Sequence, residues 1–559
     1  MITFLGILLA AVRTIFIPVQ FQDQEMTLSH EILEQRVSSA QRYWADQYAD
    51  KSRFVFDIAP TVTLSKPLGY YGANYPDRKD VLIVDAVKSA CDAADAFVDF
   101  SQYDLVYLIC AGVSEATTGE AGGIWPQYFR LSDFSSQFVL DGSSVNDVCV
   151  CCEYAFIGSR RVDADIIELC HEFGHYLGLP DFYDTDNDAS GGVSPGLRHS
   201  ALMDYFMRSS ELPSPPNLSA VEMESLGLGI CDTLRRGEYV LEPLDRGRRY
   251  LKALGDREGE YYLIECRQAE GRDRSLGGSG LRLIHVDQSS AEAGYSDYYG
   301  TVMTAYERWL KNQINNNPDH ECAHLVMAVA DPQSGADAFF PRPGVTVYGT
   351  ESADPFKFWS ETSSRLVLSN IQLKDDGSVS FDVIEPLVIE DIISFQDAAI
   401  VRWSVDPILS GKNVTLLLSW TDGEETGSVE IDDSRQAYIF EGLKSLTEYD
   451  LNIVLSVDGE KLYSLSSSFS TKVYREDTLP YIYLTGVPRN EDGSFPYGSK
   501  IPLRVFNAKD VESVTWLYNG KAVFPGPDGY FTIVSSGALR ARIQYKDGST
   551  EVIVKQINL

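Results

Sequence analysis

The segment Cys170–Asp181, CHEFGHYLGLPD, constrains this chain more than any other. On a helix, positions i and i+4 share a face about 6 Å apart, so His171 and His175 can aim imidazole nitrogens at one point. Glu172 then points about 100° away, beside that point rather than at it. Gly178 suits the left-handed turn that ends a helix, and a sharp turn there brings Asp181 back as a third, anionic donor. Three donors leave a fourth corner for water, as a catalytic Zn²⁺ site requires and a structural one does not. The plainer alternative is an amphipathic helix with two incidental histidines. Its apolar stripe would be Ile166, Ile167, Cys170, Gly174 and Leu177, with Asp163 or Asp165 as cap. Only seven histidines occur in 559 residues, so this pairing around a glutamate is rare by chance.

The rest of the composition narrows the partners. With 47 Lys+Arg against 81 Asp+Glu the formal charge is −34, which repels phosphate backbones and argues against nucleic acid. All nine cysteines precede residue 331 without regular spacing. They read as mostly buried free thiols with at most one opportunistic bridge, and not as a disulfide framework or zinc cluster. In the apolar run Val148–Phe156, alternation is expected to bury some of Cys149, Cys151 and Cys152 and expose others. No stretch approaches the roughly 20 apolar residues of a membrane span. Ile2–Val12 has the length of a signal-peptide core but no preceding Lys or Arg, so it reads equally as a core strand. Nothing indicates an oligomeric state.

The length suggests three to five domains, at roughly 100–200 residues each. Residues 13–230 mix strands (Thr14–Phe21, Asp104–Ala111, Asn146–Phe156) with helices (Leu28–Tyr48, Ala86–Phe97 after the apolar run Asp80–Val84, Asp165–Leu177, Leu218–Leu226). Residues 231–384 shift to period two, with strands expected at Tyr239–Leu244, Tyr261–Arg267, Leu281–Asp287 and Leu325–Ala330. Residues 385–474 carry five regular strands, an early Trp403 and a corner Tyr449, similar to a fibronectin type III sandwich. Residues 475–559 read as a second, Ig-like sandwich, with turns at Asn519-Gly520, Asp528-Gly529 and Asp547-Gly548. The fold class is therefore α+β, followed by all-β sandwiches.

HEFGHYLGLPDFYD resembles the metzincin-type motif of the M6, immune-inhibitor-A-like metallopeptidases, in which Asp replaces a third histidine. VDFSQYD (98–104), GIWP (123–126), SALMDY (200–205), YLIECRQ (262–268) and GLRLIHVD (280–287) resemble further stretches of that family in order, over roughly residues 13–383. The resemblance implies a metzincin-like catalytic domain binding Zn²⁺ through His171, His175 and Asp181. Glu172 would be the general base, Met203 the apolar floor, and Tyr205 an oxyanion partner or a packed tyrosine. It also implies protein or peptide substrates and a secreted or cell-surface, bacterial enzyme. The substrate is expected to lie extended along an edge strand after Gly123.

Several alternatives stay open at this level. Glu222 or Glu224 could replace Asp181 as third ligand, in the arrangement where a later helix supplies it. Asp184, Asp186 and Asp188 offer a loose Ca²⁺ site or a solvated acidic loop, but not an EF-hand, because Ala189 and Pro195 occupy its key positions. His285 and Asp287 share a strand face and read better as structural than as ligands, and His199 lies near the Met203 turn. A rival of another class is an inactive, peptidase-like adhesion protein acting through its C-terminal modules.

Overall fold

The computed structural model describes residues 11–559 apart from 77, 158–159, 165, 188, 205–214, 296–299, 433–435, 474–478, 483, 485–486, 488 and 527–529. Over the described residues as a whole, strand predominates over helix. The chain divides into two compact units. The first takes the described residues up to Thr346 with Phe358–Thr362 and Asn370–Phe381; the second takes Val347–Lys357, Ser363–Ser369 and Asp382–Leu559. Residues 13–230 and most of 231–384, expected as separate domains, thus share one unit.

The first unit opens with a sheet of β1 (Val12–Gln20), β2 (Phe54–Ile58), β3 (Leu105–Val113), β4 (Gln127–Arg130) and β5 (Asp147–Ile157), in the order β2-β1-β3-β5-β4. The pairings among β2, β1, β3 and β5 are parallel; β4 runs antiparallel to β5 at the edge. The long apolar runs of β1, β3 and β5 follow from burial on both faces. On one face Phe16, Tyr107, Cys149 and Cys151 pack with α1 (His30–Tyr48) and α3 (Ile167–Tyr176). On the other, Ile17, Leu108, Val150 and Cys152 pack with α2 (Ile83–Ala94). This three-layer arrangement corrects the expectation for the cysteines. Cys149, Cys151 and Cys152 are all buried, because both sides of a central strand are covered. All nine cysteines are free thiols, and only Cys231 is exposed.

A second sheet in this unit joins Ile230–Thr233, Arg249–Leu254, Glu260–Arg267, Gly280–Asp287 and Ala323–Leu325 in that order. Its last strand meets the expected Leu325–Ala330 run only at Leu325, and the expected Tyr239–Leu244 strand covers Gly237–Leu241. Among the described residues no helix is long and apolar enough to cross a membrane.

In the second unit, Leu387–Ser394, Ala398–Val405 and Ala437–Glu441 form a three-stranded sheet. Thr426–Asp432, Val414–Thr421, Glu448–Val457 and Glu460–Ser470 form a four-stranded one. Trp403, Leu416, Phe440 and Ile453 fill the core between them. Tyr449 is the second residue of its strand, and its hydroxyl accepts the Lys444 N–H at 2.8 Å, the corner the sequence indicated. The last residues build a four-stranded sheet of Lys521–Ala522, Val511–Tyr518, Gly537–Tyr545 and Thr550–Ile557. Its first hairpin turns at Asn519-Gly520, both with positive φ, as a two-residue turn of that kind demands. The expected Asp528-Gly529 turn lies outside the described residues.

Tyr449→Phe should remove the acceptor of a part-buried backbone donor and cost about 0.5–1.5 kcal/mol. Urea unfolding of the full chain measures this; an unchanged transition for the sandwich would show that water replaces the hydroxyl.

Candidate metal centre

Phe173 sets the orientation of α3. Its ring packs against Trp44, Phe54 and Phe56, with centroids at 5.5, 5.6 and 4.9 Å. Burying that ring among α1 and β2 turns the neighbouring positions 171 and 175 to the opposite side. Two further bonds grip the helix from the sheet. Tyr107 donates to the Leu169 carbonyl at 3.2 Å, and the Cys149 thiol meets the Glu172 carbonyl at 3.3 Å. Ile166 stands at the N-cap with no side-chain bond, and of the expected acidic caps Asp165 and the Asp163 side chain lie outside the described residues. The packing just described positions this helix.

The turn that follows behaves as its glycine suggested. Gly178 adopts φ +102°, and the Leu179 N–H bonds back to the Gly174 carbonyl at 3.0 Å. Asp181 thereby returns to the two imidazoles. Its Oδ1 lies 3.1 Å from His171 Nε2 and 3.3 Å from His175 Nε2. One donor atom from each of these three side chains lies within 4.8 Å of the others. The other ring nitrogens are held by main-chain carbonyls: His171 Nδ1 by Leu202 at 3.0 Å and His175 Nδ1 by Leu179 at 2.8 Å. A proton on each Nδ1 leaves the Nε2 lone pairs facing Asp181, the tautomer a metal-ligating histidine needs.

Charge in this pocket is tightly coupled. Burial disfavours a charged His171, yet its hydrogen bond to Asp181 and the nearby Glu172 outweigh that and raise it to about 9. Burial likewise opposes charge on His175, and Asp181 again raises it. Burial would raise Asp181, but His175 and His171 hold its carboxyl far below the usual range. The three groups favour positive charge between them, which protons or a cation can supply. Two imidazoles and a carboxylate are an ordinary donor set for Zn²⁺, so the residues present fit that ion.

Glu172 is 5% exposed, and its Oε2 is buried with no hydrogen-bond partner. Burial pushes its carboxyl up to about 7, against the lowering by His171 and His175. A carboxylate kept dry and unpaired beside the donor cluster is poised to take a proton. Tyr183, which the sequence reading did not single out, has its ring 6.4 Å from His171. Burial first, then Asp181 and Glu172, push its phenol well above the ordinary value. Tyr205 lies outside the described residues.

Met203 lies directly against the helix. A Cβ built on Gly174 would meet Met203 Sδ at 2.7 Å. The Met203 N–H donates to Glu222 Oε1 at 2.9 Å, while Glu222 Oε2 accepts from the Ser219 N–H and hydroxyl at 2.7 Å each. Glu222 therefore supports the Met203 turn and is no third ligand. Glu224 is engaged with Lys252 and with the Tyr261 hydroxyl, so it does not join the histidines either.

Other candidates are placed elsewhere. His285 bonds Glu260 at 3.0 Å and stacks on Tyr262 at 4.3 Å, the structural role expected of it. Asp287 pairs with His320. In the acidic loop, Asp184 accepts from the Asp186 and Ser194 N–H groups and Asp186 accepts from the Ser190 hydroxyl, so these oxygens hold the loop itself; Asp188 lies outside the described residues. His199 is not among the grouped donors.

The strand beside the site is β4. It pairs with β5 on one side, and among the described residues no strand pairs with its outer edge. Tyr128 on it faces Tyr176 of α3 at 6.2 Å. Its lead-in is fixed by Asp80, whose Oδ2 accepts from the Trp125 N–H at 2.8 Å and Gln127 Nε2 at 3.1 Å.

No protein-family model and no curated protein matches the chain. Solved structures similar to part of it include a computationally redesigned β-sandwich protein, at 19% identity over 16% of this chain and 99% of that one, TM-score 0.15. The fn3 domain of human contactin 1 matches at 11% identity over 16% of this chain and 89% of that one, TM-score 0.14. The fn3 domain of human collagen alpha-1(XX) chain matches at 20% identity over 17% and 84%, TM-score 0.14. Scores this low carry no argument, and the sandwich described above rests on its own strand order.

Gly174→Ala supplies a sharp test of the packing. In an open helix it would stabilise by about 1 kcal/mol, but crowding Met203 should cost about 1–3 kcal/mol. The thermal unfolding midpoint is expected to fall; a rise would mean that Met203 yields freely.

Proposed function

We propose that this chain is a zinc-dependent endopeptidase of the M6, immune-inhibitor-A-like kind, working outside the cell on protein or peptide substrates. The observation that carries this reading is the convergence of His171 Nε2, His175 Nε2 and Asp181 Oδ1, with a buried, unpaired Glu172 carboxylate beside them. Bound there, Zn²⁺ supplies Lewis acidity, polarising a scissile carbonyl and making water acidic near neutral pH. The chain's own groups do the rest. Glu172 takes the proton of the attacking water and later delivers it to the leaving amine. Met203 and Gly174 give the pocket an apolar floor that excludes water from beneath the ligands. The free edge of β4 offers backbone donors and acceptors to an extended substrate by strand addition, which aligns a peptide bond alongside the helix.

The rival reading, an inactive adhesion protein, would not require Glu172 to be retained, dry and unpaired at this position. Cleavage of casein by the purified chain, lost on chelation and restored by zinc, separates the two.

Glu172→Gln should keep one zinc per chain and lower turnover by about 10²–10⁴-fold; undiminished hydrolysis removes Glu172 from the base role. Asp181→Ala should lose zinc, whereas Glu222→Gln should keep it. Zinc retained by the Asp181 variant would mean that another acid completes the site.

A further inference from the structure

We infer that Asn312, 131 residues beyond Asp181, is the positioning residue that sets the third ligand and through it the metal affinity. The inference rests on the metal centre proposed above. The short helix Ala305–Leu310 runs out at Lys311, and Asn312 follows with φ +56°, a left-handed conformation that asparagine tolerates better than most side chains. From there its amide makes two bonds to one residue. Asn312 Oδ1 accepts the Asp181 N–H at 2.6 Å, and Asn312 Nδ2 donates to Asp181 Oδ2 at 2.7 Å. Oδ2 is thus tied by the amide while Oδ1 faces the two imidazoles. A primary amide at this reach can donate to a carboxylate and accept from the same residue's backbone. Aspartate would set carboxylate against carboxylate, and alanine would reach neither group.

The neighbouring asparagines hold the rest of the ligand loop. Asn315 Nδ2 donates to the Phe182 carbonyl at 2.8 Å, and Asn316 Oδ1 accepts from the Thr185 N–H at 3.1 Å and hydroxyl at 3.0 Å. Asn315 also exchanges bonds with both main-chain groups of Ala323, anchoring the clamp to the second sheet. Trp309 packs edge-on to Phe182 at 5.8 Å. The loop after Gly178 is also held by its own turn and by the Phe182 N–H on the Met203 carbonyl at 2.8 Å, but the side-chain amide that grips Asp181 itself is that of Asn312. The polar partners that fix Asp181 come from the β-rich segment, which couples that segment directly to the metal site.

The test uses the full chain carrying Asn312→Ala or Asn312→Asp. Zinc dissociation constants are measured by chelator competition, and the visible spectrum is recorded with Co²⁺ in place of zinc. Both variants should bind zinc about 10–100-fold more weakly, the usual consequence of removing a partner of a metal ligand, and their cobalt spectra should shift. A merely structural role would lower the unfolding midpoints of the metal-free and zinc-loaded chains alike. Linkage instead predicts a larger loss in the zinc-loaded form. If the unaltered chain binds zinc and both variants match it within about threefold with unchanged spectra, the positioning role is overturned and the metal centre stands. If the unaltered chain binds no zinc, the metal centre itself is wrong and this inference falls with it. Should one variant fail to fold, the other decides.

Discussion

Two main-chain carbonyls govern this site: Leu202 holds His171 Nδ1, and Leu179 holds His175 Nδ1. A histidine side chain alone can rotate and change tautomer. Fixed from behind, each ring presents one defined lone pair. The two carbonyls come from the turn after the helix and from the Met203 turn, so both turns must be in register with α3 before the donors converge. Much of the first unit serves that register. Phe173 docks the helix in an aromatic core, the Phe182 N–H bonds the Met203 carbonyl at 2.8 Å, and Glu222 secures the Met203 N–H.

The second sheet supports the Met203 side as well as the ligand loop. Arg267 and Arg282, both fully buried, are paired with Asp273 and Glu265. These groups reach out in turn. Glu265 accepts the Ala220 N–H at 2.7 Å, Asp273 the Asn217 N–H at 2.9 Å, and Arg267 donates to the Asn217 carbonyl at 2.9 Å. Removing one partner from such a buried network costs several kcal/mol, because a charge is then left unpaired in a dry site. The stretches YLIECRQ and GLRLIHVD that invited the family resemblance carry three of these four charges, and Asp273 lies between them. Their role is to brace the helix Ala220–Ser225 and the chain before it.

Legibility in the sequence followed the range of the interaction. The helix with His171 and His175, the bend at Gly178 and the corner at Tyr449 were readable because each is fixed by residues within a few positions of itself. Element ends were less so: α2 begins at Ile83 rather than Ala86, and the strand expected at Leu325–Ala330 instead covers Ala323–Leu325. The burial of all three clustered cysteines was misjudged because a strand's own alternation does not tell how many layers cover it. Glu222 illustrates the same limit at the site. Its spacing on a helix after the histidines allowed a ligand role, and only its bond to Met203 N–H assigns it another.

What the sequence alone determined is local. A helix places two imidazoles on one face, a glycine breaks it, and a carboxylate follows close enough to return. Which oxygen of that carboxylate faces the imidazoles, which nitrogen of each histidine is available, and which acid stays outside were decided by partners up to 131 residues away. Asn312 has no periodicity and no motif to announce it, since the bond it makes is created by tertiary packing. A side chain's reach is written in its residue type; the partner it reaches exists only once the layers have closed.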